Sequence, residues 1–156
     1  MYIWLKLVHV IAVVAFLGNI ATGLFWHAHA VRKRDPALLA HTMQGIIRSD
    51  RLFTLPGVLV IVAAGIGTAM AGHVPILRTG WILWTLVLFA ISGVVFSVFV
   101  APLQRRLSML AEEGRQSGTF DYAAYRALAR RWESWGALAL LTPLAGVALM
   151  VLKPAL

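Results

Sequence analysis

Lys6 and His9 lie three residues apart in YIWLKLVHVIAVVAF, a run apolar enough to open a membrane helix. On a helix that spacing places them one turn apart on one face. A charged group at the centre of the hydrocarbon costs about 2.5–3.5 kcal/mol, so each ionisable residue there needs a compensating interaction. Lys6 is close enough to the helix end to snorkel to the surface. His9 lies about 8 Å deeper than Trp4 by helix rise. A neutral imidazole at that depth has two uses: it can hydrogen-bond a neighbouring helix, or it can ligate a metal or haem iron.

Other donors fall at matching depth once the chain is threaded back and forth. Met70 and His73 close the second apolar run and Met150 closes the fourth, while Arg78 lies in the short connection HVPILRTG. His9 with His73, or with Met70 in its place, suits the iron of haem b. His9, Met70, His73 and Met150 together suit copper(I), a soft ion. Lys6 and Arg78 are placed to meet the anionic propionates of a porphyrin. Each methionine taken alone is explained as well by core filling. His27 follows His9 by about five helical turns, roughly 27 Å, which is too far for one site. With His29 and His41 it reads as an interfacial histidine.

The elements that would hold these residues follow from composition. Of 156 residues 60% are hydrophobic and 13% charged, against about 25% charged in soluble domains. Four runs are long enough to cross the hydrocarbon, which takes about 20 residues: residues 2–27, 52–72, 80–101 and 134–152. Spans so few and so long cannot close a barrel, so all are helical. The expectation is an all-α integral membrane four-helix bundle, residues 1–156 forming one domain. The first run has no basic stretch ahead of it and is longer than a signal-peptide core, so it is expected to remain as a span.

Basic residues crowd two of the three connections: Arg32, Lys33, Arg34, Arg48 and Arg51 in the first, Arg105, Arg106, Arg115, Arg126, Arg130 and Arg131 in the third. The positive-inside rule then makes both long loops cytoplasmic and both termini external, in a bacterial inner membrane. Tyr2, Trp4, Trp81 and Trp84 fit an outer aromatic belt, and Trp26, Trp132 and Trp135 an inner one. The net charge of +8 is thereby explained without nucleic acid, and all six acidic residues dilute the same loops. Asp35-Pro36 reads as a cap and first helical position. It opens an amphipathic surface segment through Leu39, Met43 and Ile46. The third helix continues past Pro102 to a stop at Gly114, and Asp121 caps a helix leading into span four. Helices therefore extend on the cytoplasmic side. Gly18 with Thr22, and Ala63 with Gly67 and Ala71, have the small-residue spacing of close helix contacts. Pro143 is expected to kink span four.

Absences exclude several classes. Without cysteine there is no disulfide or thiolate site. No Gly-rich phosphate loop, HExxH or GxSxG occurs. No acid lies in the middle of a span, which argues against an exchanger built on a buried carboxylate.

LKLVH (5–9), SDRLFTLPGV (49–58), TGWI (79–82) and the APLQRRL run (101–107) carry a resemblance over nearly the whole chain. It is to a bacterial family of predicted four-span integral membrane proteins of the domain-of-unknown-function kind. The opening run is also similar to the first span of HemJ-type protoporphyrinogen oxidases and, more distantly, to CopD-type copper-resistance membrane proteins. Lys6 and His9 fall at the matching positions, and the oxidase resemblance implies a haem b ligand at His9. The third span, WILWTLVLFAISGVVFSVF, lacks the basic residues of the oxidase pattern, so the oxidase reaction itself is not implied. The functional expectation is a small haem-b membrane protein of redox type that exchanges electrons with a quinone or porphyrin in the lipid bilayer. A non-catalytic assembly or accessory subunit with a structural histidine is the rival, a copper-handling protein is a further alternative, and a homo-oligomer suits either.

Overall fold

The computed structural model describes residues 1–155, and every regular element in them is helical. Helix α1 covers Tyr2–Val31, α2 Pro36–Ser49, α3 Leu55–Ala71, α4 Gly80–Val95, α5 Ala101–Ser117 and α6 Tyr122–Leu152. Asp50–Thr54 and Phe96–Val100 are π-helical turns that fuse α2 to α3 and α4 to α5. Four continuous rods of 30, 36, 38 and 31 residues result, each with an apolar window long enough to span. At ~1.5 Å per residue they are about 45–57 Å long, well over the ~30 Å hydrocarbon core. The protein is an all-α integral membrane four-helix bundle whose helices protrude beyond the membrane.

The two fused rods share one device. Pro56 and Pro102 each follow a π-turn at the same offset. Proline has no N–H for the carbonyl four residues back and its ring crowds that carbonyl. A wider turn just ahead of it absorbs both defects without ending the helix. The second helix therefore does not begin at residue 52, where the hydropathy changes, and the third runs on past 101 as expected.

The rods pack in pairs: α1 on α3, α4 on α6 and α2 on α5, with α1 and α6 joining the pairs. The register of α1 against α3 shows at the glycines, where Tyr2 lies at Gly72, Leu5 at Gly67, His9 at Gly65 and Phe16 at Gly57. Gly18, by contrast, has nothing within 4 Å of where a Cβ would stand, so its expected pairing with Thr22 is not a helix contact. Both termini lie at one end of the bundle (the terminal end) and the arginine-rich helices at the other (the basic end).

The tight core belongs to the basic end, where Leu39, Met43, Leu107, Ala111, Tyr125, Ala129 and Trp132 are buried together. Towards the terminal end the side chains turn outward, as Ile3, Trp4, Leu7, Ile11 and Val14 do on α1. Such faces need lipid. The segment 36–49 is amphipathic as expected, but its apolar stripe is buried against α5 and does not lie on a surface. Trp132, only 2% exposed, is a core residue and not part of an aromatic belt.

The caps are as the sequence suggests. Asp35 accepts from Ala37 N–H and Asp121 from Ala124 N–H, each at 2.9 Å. Helix α5 stops four residues past the expected Gly114, at Gly118, whose φ of 70° only glycine adopts freely. Gly114 instead lets the Phe120 ring close over α5. Pro143 is buried inside an uninterrupted α6.

Candidate functional site

The His9 ring reaches across from α1 to α3. Its Nδ1 lies 2.8 Å from the backbone carbonyl of Ile61. A carbonyl only accepts, so Nδ1 carries the proton, and the neutral ring keeps its lone pair on Nε2. Gly65 gives the ring its place: a Cβ there would sit 3.0 Å from Cε1 and 3.1 Å from Nδ1. Among the described residues Nε2 has no hydrogen-bond partner.

The other expected donors do not gather at that level. Met70 lies further along α3 and is 70% exposed. His73 lies about 12 Å outward of Gly65 by helix rise. It is exposed and adopts a left-handed conformation with φ 53°, its N–H bonding to Met70 O at 3.1 Å. That is the helix-end position usually given to glycine or asparagine, so His73 has a backbone role of its own. Met150 is half-buried on α6, within the other helix pair. Lys6 and Arg78 are exposed at the terminal end. Among the described residues no three His, Asp or Glu side chains converge as a metal-ligand set.

A second constellation lies at the junction between the membrane-spanning and protruding parts, and sequence reasoning missed it. Asp50 was expected in a loop; it lies inside a continuous helix and is only 7% exposed. Its Oδ1 accepts from Asn19 Nδ2 at 2.9 Å and Thr54 Oγ1 at 2.8 Å, and its Oδ2 from Gln104 Nε2 at 2.8 Å. Helix α1, α5 and the π-turn thus meet on one carboxylate that has no cationic partner among the described residues. A cavity of about 20 Å³ adjoins it, lined by Asp50, Asn19, Gln104, Phe96, Val100 and Trp132 among others. Trp132 lines this cavity, and its indole N–H is buried without a hydrogen-bond partner among the described residues.

His27 is the third group the structure relocates. It is fully buried, not interfacial, while His29 and His41 are exposed. Its Nε2 meets Tyr125 OH at 3.1 Å and its Nδ1 stands 3.4 Å from Glu133 Oε1. Arg126 holds both oxygens of Glu133 at 2.8 and 2.9 Å. Trp132 packs edge-on against the His27 ring at 4.7 Å. The available signal for all this was helical continuity. Pro36 to Leu55 contains only Gly45 as a weak breaker, and one amide, Asn19, interrupts an apolar run.

A family model for predicted integral membrane proteins, DUF2269, matches residues 3–154. The chain belongs to the DUF2269 family. No similar curated protein and no similar solved structure was found. The DUF2269 match runs from the helix end carrying Lys6 and His9 to the end of α6, so the His9 contact and the Asp50 junction both fall within the family's domain.

Proposed function

We propose that this membrane protein binds haem b in the terminal half of the bundle, with His9 Nε2 as an axial ligand, and serves a redox role. The bond from His9 Nδ1 to Ile61 O carries the reading. A metal-bound imidazole nearly always gives its other N–H to a carbonyl or carboxylate, which orients the ring and raises its basicity. An acceptor left unpaired in hydrocarbon costs about 1–3 kcal/mol, which ligation would offset. Lys6 and Arg78, exposed at the same end, would pair with propionates. Haem would supply one-electron chemistry, with a quinone or porphyrin in the bilayer as the exchange partner. His73, or Met70 in its place, would supply a second ligand only by moving inward from the exposed position it now holds. By the positive-inside rule the arginine-rich end would face the cytoplasm of a bacterial inner membrane and both termini the outside.

A second reading has its own support. Gly65 seats the His9 ring so closely that the residue also serves as a clamp between α1 and α3. On that reading the protein is a non-catalytic assembly or accessory component. The absorption spectrum and metal content of the purified protein separate the two. A Soret band that sharpens on reduction and is lost in His9→Ala supports haem ligation. A colourless, metal-free protein overturns it in favour of the accessory role, and bound copper overturns it in favour of copper handling. A Soret band unchanged in His9→Ala removes His9 from the site.

A further inference from the structure

We propose that Asp50 and the cavity beside it form a buried proton-exchange site, in which one water links the carboxyl group to the Trp132 indole. Three independent features meet at this point. The first is a carboxylate, 7% exposed, bound among the described residues only by neutral donors. Donors converge on both of its oxygens, which an acceptor-only carboxylate satisfies and an amide, with one oxygen and one NH2, does not; such a group can also take up a proton. The second is the cavity of about 20 Å³, lined by Asp50 and Trp132. That volume admits one water and little more, since a water needs roughly 10–15 Å³ on this measure. The third is the Trp132 N–H, in a residue 2% exposed and without an acceptor. A buried indole donor left unpaired costs about 1–3 kcal/mol, and a water in the adjoining space removes the deficit.

The donor set decides what the site holds. Asn19, Gln104, Thr54 and Trp132 all present N–H or O–H groups, which suit a carboxylate and a water oxygen. A metal cation would need oxygen atoms facing it instead. A proton is the cation this arrangement can take, and it binds Asp50 itself. Two π-turns border the cavity, through Asp50 on one rod and through Phe96 and Val100 on the other. Such bulges recur at functional sites because they shift the helix register and widen the backbone locally.

The groups around Asp50 leave it free to take up a proton. From α1 it meets Asn19, from α5 Gln104 and from its own rod Thr54, all uncharged, and α6 contributes Trp132 to the shared cavity. Arg51 and Arg105, next in sequence to Asp50 and Gln104, are exposed and reach the outer surface. The nearest titratable neighbour through Trp132 is His27, with Glu133 behind it at the half-buried rim. Protonation at Asp50 forms an O–H bond at one carboxyl oxygen and removes one negative charge. The proton arrives from and returns to the cavity water, which is re-protonated by solvent from the basic end.

Infrared spectroscopy of the full-length protein in lipid nanodiscs tests this by following the carbonyl stretch of protonated carboxylic acids across a pH series. The wild type is expected to show a band from a buried acid that rises as pH falls, and Asp50→Asn to lose it. Trp132→Phe keeps the ring but not the N–H, and is expected to keep the band with its frequency shifted. An Asp50→Asn protein that does not fold leaves the test to Trp132→Phe and Asn19→Leu, each of which must shift the band. A band unchanged in every folded variant, or no pH-dependent acid band in the wild type, overturns the proposal. So does an experimental map showing the cavity without a water.

Discussion

Substituting Gly65 by alanine tests the geometry at His9 most directly. The new Cβ would stand 3.0 Å from Cε1 and 3.1 Å from Nδ1, where ordinary contacts are 3.4–4 Å, so the ring must move by a few tenths of an ångström. The bond to Ile61 O, now 2.8 Å, then lengthens or breaks. Its loss costs about 0.5–1.5 kcal/mol, and forcing a methyl into a packed contact costs a further ~1–3 kcal/mol. Replacing a helical glycine returns up to about 1 kcal/mol. The net expectation is a destabilisation of about 0.5–3.5 kcal/mol. In a His9→Ala background the strain and the bond are both gone, so the same substitution becomes neutral or mildly stabilising. The coupling energy from the double-mutant cycle is therefore about 1.5–4.5 kcal/mol, measured by reversible unfolding in mixed detergent micelles. Additivity within ~0.5 kcal/mol, the value for independent sites, would refute the contact and with it the tautomer assigned to His9.

Other outcomes follow from the same structure. Asp35→Ala removes the acceptor for Ala37 N–H and is expected to cost about 0.5–2 kcal/mol, seen as faster amide exchange confined to the start of α2. Gly114→Ala would drive a methyl into the Phe120 ring, whereas Gly45 has open space around it. The first is expected to lower the thermal midpoint and Gly45→Ala to raise it or leave it unchanged. Tyr125→Phe strips His27 Nε2 of its partner, with an expected loss of about 1–3 kcal/mol in thermal or detergent unfolding. An alkaline phosphatase fused after Leu152 is expected to be active and one inserted between α5 and α6 inactive; the reverse pattern would overturn the orientation drawn from the arginines.

Four crossings, an all-helical fold and a basic end could be read from composition, run length and the placement of arginine. These are properties of side chains facing solvent or lipid, and hydropathy reports them without knowledge of neighbours. The helix starts at Asp35 and Asp121 were equally legible, because a cap is a contact between residues two or three apart. His9 was singled out as the polar exception inside an apolar run, and a bond to an adjacent helix was one of its two stated uses.

Tertiary structure alone decided what the interior polar groups meet. Asp50, Asn19 and Gln104 lie on different rods, and no periodicity in one segment states which residue of another stands opposite. The π-turns set that register by fusing short helices into long rods, which carries Asp50 from an expected loop into the core. Trp132 and His27 were read as interfacial because hydropathy treats each span as ending where charge begins. The protruding helices continue the bundle past that boundary and close over both. Lipid selects the outward faces residue by residue, whereas burial at the junction depends on how three helix pairs come together in space.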